Sequence, residues 1–393
     1  MKRRLKKGAR EPVEQTIELP EGRLKLRVIL VILGILVAAA SMAYGLNAAF
    51  STEAGVQEIA AQSRKGASCS DSFTFYYDLG AGETSATEER KELRALYTQA
   101  AVDAQRLFGQ GGDLCGLSAR VGETVTVDGA LYSALSLLEE SGTRFHYLAP
   151  VYGLYRSLFF ASDDAEAASY DPYLDEGLRA FCREAAAFAS DPEAVSLELL
   201  GEDRVRLNVS EEYLRFAREN GVTEFVDLFW LENAFMADYI AGELLENGYS
   251  RGALISRDGF IRSLPELKDS GFTLSFSHRE GNVISQLAAL ELPGGMSVVF
   301  LRDYPAGSGG SYHVYEDGTI RCPYVDPRDG LSKSALPELA AFSEELSCAE
   351  TALAAAEIYI ADDFDVEAFS VLERQGISVY YCEAGELVHT GTP

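Results

Sequence analysis

The sequence predicts an α+β protein in which one domain, with a mostly antiparallel sheet and flanking helices, follows an amino-terminal transmembrane helix. Apolar residues recur with the 3.6-residue helical period in several segments. Other segments are rich in β-branched and aromatic residues and are joined by short turns that contain glycine, which is typical of antiparallel strands. Finally, the 25 residues from Val28 to Thr52 contain no charged side chain.

The amino-terminal segment predicts where the protein resides. Nine Lys or Arg residues precede the uncharged run, and the run is long enough to cross a bilayer at about 1.5 Å per helical residue. The positive-inside rule then places residues 1–27 in the cytoplasm and the bulk of the chain outside it. We expect a transmembrane helix or signal anchor at 28–52, a linker at 53–72 and an extracytoplasmic domain at 73–393. A cleaved signal peptide, with its apolar core at 28–37, is the alternative.

Charge and cysteine content narrow the possible functions. The chain carries 34 basic and 61 acidic residues, a net charge of −27, and such a surface repels phosphate backbones, so we expect no nucleic-acid partner. The six cysteines are widely spaced and form no metal-binding pattern. Both disulfides and buried free thiols are compatible with that spacing.

The amino-terminal half of the domain predicts alternating strands and helices. An aromatic strand at 73–77 precedes a helix that Ser85 caps and that glycines from Gly109 onwards end. A short strand at 124–127 and a helix at 131–140 follow. We expect Asp171 and Pro172 to begin the next helix. A hairpin at 196–209 then leads into a helix that Ser210 caps.

The carboxyl-terminal half is predicted to contribute most of the sheet. A helix at 231–247 ends at Gly248, which is a typical C-cap residue. The remaining predicted elements are strands at 253–256, 272–278, 283–292 and 296–301, helices at 348–360 and 366–375, and strands at 377–381 and 386–389.

Local motifs identify no catalytic centre. The four histidines form no HExxH or HxxxH pair, and neither a GxSxG nucleophile motif nor a phosphate-binding glycine motif occurs. The order of longer segments is more informative. Asp227 to Asp238 is followed by an apolar helix, then by Ala253 to Arg262, then by Asp303-Tyr304, and then by Val325-Asp-Pro-Arg-Asp-Gly330. This order resembles the ApbE family of FAD:protein FMN transferases, from about Asp71 to the carboxyl end.

The resemblance implies a fold, cofactors and a set of site residues. ApbE proteins are extracytoplasmic, often membrane-attached enzymes that use magnesium to split FAD and attach FMN to a Thr or Ser of a target protein. FAD and magnesium are therefore the implied cofactors, with none if the site is degenerate. The catalytic candidates are Asp326 and Glu350. The candidates for cofactor binding are Asp227, Trp230, Asp238, Arg262, Asp303, Tyr304 and Arg328.

The positions that face ligands in this family depart from its pattern. Its paired glycines after Asp-Leu are Phe229 and Trp230 here, and its lysine is Asn233. Its GGD aspartate is Phe260, and the histidine before its DPR motif is Pro323. Its metal-binding carboxylate and threonine align with Thr351 and Ala355 in our alignment, so we assign no metal ligand. A shift of one residue would instead place Glu350 at the carboxylate position.

These departures predict a degenerate relative of the flavin transferases that acts as a binding or accessory module. Its expected partners are the membrane, through the amino-terminal helix, and an extracytoplasmic redox protein. The alternative is a diverged but active magnesium-dependent transferase that uses Glu350 and Asp326 and attaches FMN to Thr or Ser of such a redox protein. A third hypothesis is flavin binding without transfer, with Trp230 stacked on the ring. Aspartates at caps and turns and aromatic rings in the core are the structural alternatives for these residues.

Overall fold

The computed structural model describes residues 52–63, 66–82, 84–267, 272–280, 283–305, 311–383 and 385–390. Residues 53–393 form one compact unit. Residues 28–51 of the predicted transmembrane helix lie outside the described part of the chain. Among the described residues, no helix combines the length and the apolar character needed to cross a membrane.

Ten α-helices are formed by the described residues, and seven of them have ten or more residues. Their bounds are α1 Ala86–Phe108, α2 Asp113–Gly116, α3 Gly129–Ser141, α4 Ala149–Phe159, α5 Asp164–Ala168, α6 Glu176–Ser190, α7 Glu211–Asn220, α8 Glu232–Glu246, α9 Cys348–Tyr359 and α10 Phe369–Arg374. A 3₁₀ turn at Phe229–Leu231 leads directly into α8.

The strands of the described residues are β1 Gly55–Glu58, β2 Phe73–Leu79, β3 Thr124–Thr126, β4 Val195–Gly201, β5 Arg204–Val209, β6 Gly252–Ser256, β7 Phe260–Ser263, β8 Phe272–Glu280, β9 Val283–Leu292, β10 Ser297–Arg302, β11 His313–Val314, β12 Ile320–Arg321, β13 Glu338–Ser343, β14 Ser378–Glu383 and β15 Glu386–Thr390. Eight of them form the main sheet in the order β1-β2-β6-β7-β10-β13-β14-β15. Every pair in this sheet is antiparallel.

Side-chain alternation divides the main sheet into two faces. In β10, Val299 and Leu301 join the large core beneath helices α8 and α9. Val298 and Phe300 point the other way, into a second apolar cluster with Phe276 of the β8–β9 hairpin. Because successive residues of a strand face opposite sides, a fully apolar strand is buried on both. The sheet therefore lies between a helical layer and a hairpin.

The predicted fold class is confirmed: the described domain is α+β, and its main sheet is antiparallel. Local signals fixed several boundaries correctly. Ser85 accepts a hydrogen bond from the Glu88 amide at the start of α1, and Gly142 adopts φ +70° after α3. Ser210 caps α7 in the same way as Ser85 caps α1.

The segment 53–72, which we expected to be a linker, is instead part of the domain. Strand β1 pairs with β2 over its whole length, from Gly55 opposite Leu79 onwards. Ile59 and Cys69 are buried in the large core. The small and polar composition of this segment suits an edge strand, which exposes alternate side chains, as well as it suits a linker.

Asp171 does not begin a helix as predicted; Asp175 caps α6. The Asp171 carboxylate is fully buried and accepts hydrogen bonds from Arg321 Nε and the Tyr315 hydroxyl, both at 2.9 Å. A distant cation, which local sequence does not reveal, determines the role of this aspartate.

Several elements have no counterpart in the sequence prediction, among them α4, β7 and β13. Helix α4 is rich in aromatic residues of low helix propensity. Strand β13, with the sequence ELAAFS, is buried on both faces, so it lacks the alternation that identifies a half-exposed strand. All six cysteines are buried and free in this structure.

Candidate functional site

A cavity of about 240 Å³ lies where the 3₁₀ turn meets α8. Seven separate segments line it. They are Ser72, Gln110, the end of α4 with Arg156, Phe159 and Phe160, the 3₁₀ turn and the start of α8 with Phe229, Trp230, Glu232 and Asn233, the β6–β7 turn with Asp258 and Phe260, Ser311 with Tyr312, and Pro323 with Tyr324. These parts are distant in sequence, so the cavity exists only in the folded chain.

Asp227 fixes the backbone of the turn. Its two carboxylate oxygens accept a bidentate pair of hydrogen bonds from Arg156, one of them at 3.0 Å. Asp227 Oδ1 also accepts the Phe229 amide at 2.8 Å, and the Asp227 amide donates to the His146 carbonyl oxygen at 2.9 Å. Asp227 is 2 % exposed, so its carboxylate is engaged by protein donors, and these contacts stabilise the turn.

Phe229 has a backbone conformation that favours glycine. Its φ is +53°, in the left-handed region that costs an L-residue with a side chain about 1–2 kcal/mol. The ring stacks on Tyr152, with centroids 4.5 Å apart, and the Arg156 guanidinium lies 5.0 Å from its centroid. Packing and the Asp227 hydrogen bond therefore hold Phe229 in a conformation that its own side chain disfavours.

Trp230 lies on the wall of the cavity and is packed by aromatic edges. It makes edge-to-face contacts with Phe145 and Tyr324, at centroid distances of 5.7 and 5.5 Å. It is 5 % exposed, and its indole nitrogen has no hydrogen-bond partner among the described residues. The ring is consequently held in one orientation by other protein side chains.

A polar network centred on Asp258 also borders the cavity. Asp258 accepts hydrogen bonds from Asn233 Nδ2 at 2.8 Å and from Ser256 Oγ at 2.5 Å, and Ser256 in turn accepts the Phe260 amide. Gly259, with φ +106°, is required in this turn because a Cβ there would lie 2.1 Å from the Phe300 carbonyl oxygen. Burial raises the pKa of Asp258.

Glu232 is the second acid in the cavity. Burial, together with repulsion by Asp227, raises its pKa to about 8, although Arg156 opposes the rise. Glu232 and Asp258 form no ion pair with a lysine or arginine of the described residues. Arg156, the only cation on the cavity wall that the structure describes, is already paired with Asp227. The cavity is therefore acidic in character.

Asp238, Arg262 and Glu350 meet at a different place, the amino terminus of α9. Asp238 accepts the amides of Cys348 and Ala349 at 2.9 and 2.8 Å, and Arg262 Nε lies 3.8 Å from its carboxylate. Burial raises the pKa of Asp238 to about 6 despite these donors. Glu350 accepts the Ser347 amide at 2.8 Å in a capping box. Each of these carboxylates completes the end of a helix.

Asp326 and Arg328 form a third group, within the DPRDG turn. Asp326 is 1 % exposed and accepts the amide and the guanidinium of Arg328. Burial works against ionisation of Asp326, but Arg328 and Lys333 together hold its pKa below the usual value. Gly330 adopts φ +71° and packs so closely on α6 that a Cβ would lie 2.5 Å from the Cys182 carbonyl oxygen. The turn thus fastens the loop to α6.

Asp303 and Tyr304 follow strand β10. The Asp303 amide donates to the Pro337 carbonyl oxygen at 3.0 Å. Tyr304 is 2 % exposed, and its hydroxyl has no partner among the described residues. Of the nine residues that the sequence nominated, only Trp230 lines the cavity, with Asp227 directly behind it.

Solved structures reveal what this architecture is similar to. The chain matches the ApbE protein of Thermotoga maritima at TM-score 0.57 and 12% identity, covering 81% of this chain and 93% of that one. It matches the flavin transferase ApbE of Vibrio cholerae at TM-score 0.55 and 12% identity, over 86% and 97% of the two chains. The flavinyl transferase ApbE of Pseudomonas stutzeri matches at TM-score 0.53 and 15% identity, over 86% and 95%. The chain has the ApbE fold.

Sequence comparisons alone do not detect this likeness, since no protein-family model and no curated protein matches the chain. The resemblance inferred from the order of sequence segments is confirmed at the level of the fold. At this level of identity, the shared ApbE fold leaves the activity open.

The described residues do not fit the FAD and magnesium that the ApbE fold implies. The cavity is smaller than the roughly 300–1,000 Å³ of pockets that hold drug-sized ligands, and FAD is larger than those ligands. An anionic pyrophosphate there would meet the acidic groups of Glu232 and Asp258 and no free cation, since Arg156 is paired with Asp227 and Asn233 is neutral. At the aligned metal positions, the fully buried Thr351 donates its hydroxyl hydrogen to the Ser347 carbonyl oxygen, and Ala355 has no ligand atom.

One other group of side chains has the proximity required for a metal site. Ligand atoms of Cys115, Glu224 and Asp227 lie within 4.8 Å of one another. Arg156 already pairs with Asp227, and burial raises the pKa of the Cys115 thiol to about 12, which keeps it protonated near neutral pH. This group is therefore poorly suited to a cation.

Arg156, Glu232 and Asp258 are not among the residues that the sequence nominated. Arg156 carried a usable signal: it is the one charged residue in the otherwise apolar segment Ala149–Phe159, and a cation on an apolar helix requires a buried acidic partner. Glu232 and Asp258 lie within the aligned segments, but the family pattern drew attention to their neighbours.

Proposed function

We propose that this protein is a membrane-anchored, extracytoplasmic binding module built on the ApbE fold, and that it does not transfer FMN. The observation that carries the proposal is Phe229. It retains a glycine-type backbone at the position where the ApbE pattern has glycine, while its ring and that of Trp230 occupy the adjoining space. Glycine permits a ligand to approach the backbone, and aromatic side chains prevent that approach.

Electrostatics support the same proposal. Phosphoryl chemistry depends on positive charge, from cations or a bound metal ion, where negative charge develops. The cavity instead contains Glu232 and Asp258, and its arginine is committed to Asp227. Asp326 and Glu350, the catalytic candidates, are held in a turn and a helix cap.

The basic amino terminus and the uncharged run from Val28 to Thr52 support the anchor and the external location of the domain. A module of this kind acts through a partner, and we propose an extracytoplasmic redox protein, since the redox proteins of that compartment are the targets of active ApbE enzymes.

The test is a flavin-transfer assay with the full chain in detergent. The protein is incubated with FAD, Mg²⁺ and a threonine-containing acceptor domain, and the acceptor is weighed by mass spectrometry. The Vibrio cholerae flavin transferase serves as the positive control. We expect FMN on the acceptor only in the control reaction. FMN addition by this chain that disappears in Glu350→Ala or Asp326→Ala would overturn the proposal and establish a diverged transferase.

Thermal unfolding of the same sample tests flavin binding separately. A ligand at about a hundred times its dissociation constant adds roughly 2.7 kcal/mol to the free energy of unfolding. We expect no shift in the midpoint with FAD, with or without Mg²⁺. A shift that occurs without Mg²⁺ and without transfer would instead favour a flavin-binding protein.

A further inference from the structure

The cavity near Trp230 is unusually rich in aromatic side chains. Seven line it: Phe159, Phe160, Phe229, Trp230, Phe260, Tyr312 and Tyr324. Phe160 is 78% exposed and lies at the rim, whereas Phe229 and Trp230 form the inner wall. The faces of aromatic rings carry negative electrostatic potential and attract cations, most strongly when the site is shielded from water.

The acidic groups of the cavity also favour a cation once they are ionised. Glu232 and Asp258 line it without an ion-pair partner among the described lysines and arginines. Asn233 and Ser256 hold the Asp258 carboxylate in place, and both do so as neutral donors. The guanidinium of Arg156 is bound by both oxygens of Asp227 and forms no ion pair with either acid.

The size of the cavity limits the ligand to a small molecule. A volume of about 240 Å³ corresponds to roughly eight water molecules at about 30 Å³ each. Choline, an organic cation with seven non-hydrogen atoms, is of this size.

We propose that this cavity binds a small organic cation, with its ammonium group against the aromatic rings and the carboxylates of Glu232 and Asp258. This inference rests on the proposed function, because a flavin in the same space would exclude the cation. It assigns a ligand class to the binding module: alkylated or primary amines of about the size of choline.

The chain provides its own probe for this ligand. Trp230 is its single tryptophan, so intrinsic tryptophan fluorescence reports on the wall of the cavity. Full-length protein in detergent is titrated with choline chloride at constant ionic strength. The neutral carbon isostere 3,3-dimethylbutan-1-ol, which has the same shape without the charge, is titrated in parallel. We expect a saturable change in fluorescence with choline and a much weaker response to the isostere.

Conservative variants identify the carboxylates involved. Glu232→Gln and Asp258→Asn should each weaken choline binding roughly tenfold or more, the factor expected from the loss of one interaction with a charged group. Glu357→Gln is the matched control, since Glu357 is exposed and lines a different cavity. Equal affinity in all three variants, or equal responses to choline and its isostere, would overturn the proposal.

The pH dependence offers an independent readout. The groups that act on Glu232 are Asp227, Arg156, Asp258 and the backbone of Gln110, which hydrogen-bonds to it; Glu232 in turn helps to raise the pKa of the buried Cys69 thiol. Since Glu232 ionises at about pH 8, choline should bind more tightly at pH 9 than at pH 6, and Glu232→Gln should reduce this difference. A pH-independent affinity in the parent chain would contradict the assignment of Glu232.

The two proposals fail in different ways. Fluorescence anisotropy of FAD, measured on the same protein, reports flavin binding directly. Saturable FAD binding that choline does not displace would contradict both the proposal that the site no longer accommodates flavin and the proposal that it binds a cation. A protein that responds to neither FAD nor choline would overturn the cation proposal alone.

Discussion

Phe229 provides the most direct test of one interpretation of this site: a residue with an aromatic side chain occupies a backbone conformation that favours glycine. We compare Phe229→Ala with Phe229→Gly. Both substitutions remove the ring and its stacking on Tyr152, so their difference isolates the backbone at φ +53°. In the left-handed region an alanine is strained by about 1–2 kcal/mol. Glycine avoids this strain but loses about 0.4–1 kcal/mol more chain entropy on folding.

The expected result is that Phe229→Gly is more stable than Phe229→Ala by about 0.5–1 kcal/mol, the reverse of the usual order. The matched control is Phe181, which lies in the interior of α6 and stacks on Phe216 at 5.6 Å. In a helix interior alanine is favoured over glycine by about 1 kcal/mol. The difference in stability between the alanine and glycine variants should therefore have opposite signs at positions 229 and 181.

Urea denaturation of the four variants, followed by far-UV circular dichroism, measures these differences as shifts in the midpoint at a common slope. If alanine is the more stable residue at both positions, the backbone of Phe229 is not left-handed. The argument that it occupies a glycine position would then be refuted. A reversed order at Phe229 alone would support the interpretation, whatever the absolute cost of removing the ring.

Two further predictions concern the charges around the cavity. Asp227→Ala leaves Arg156 buried without its partner and should destabilise the domain by about 3–5 kcal/mol. In the same denaturation assay, the double variant Arg156→Met, Asp227→Leu should lose less free energy of unfolding than Asp227→Ala. Additive losses of free energy from the two positions would refute the pairing. The second concerns pH. The Glu232 carboxyl stays protonated up to about pH 8 in the folded chain, whereas an unfolded glutamate ionises near pH 4.3. Its contribution to stability is therefore lost as the pH rises between these values and is constant above them. Glu232→Gln should raise the midpoint of thermal unfolding more at pH 9 than at pH 5, and an equal effect at both pH values would contradict the raised pKa.

Local sequence signals predicted much of the framework because they act over a few residues. The Ser85, Gly142 and Ser210 caps were identified correctly, as was the DPRDG turn, in which Asp326 accepts its neighbours' donors. Strand β13 was not predicted because it depends on strands that are distant in sequence. Its residues carry no local pattern, and they are a strand because β10 and β14 lie on either side.

The candidate site could be predicted only in part. The order of segments indicated the ApbE fold and directed attention to the turn from Asp227 to Trp230. It could not reveal that Arg156, 71 residues earlier in the chain, pairs with Asp227. Nor could it show that Asp238 and Glu350 are committed to the amino terminus of α9.

The sequence by itself determined the secondary structure near caps and turns, the charge of the chain, and the residues that depart from the ApbE pattern. Only the tertiary structure decided what those residues do. It placed Phe229 in a left-handed backbone and lined the cavity with aromatic rings from five separate segments. It also left Glu232 and Asp258 there without an ion-pair partner among the described lysines and arginines. The physical reason is that caps and turns depend on hydrogen bonds between near neighbours. Cavity volume and the balance of buried charge depend on residues that meet only when the chain folds.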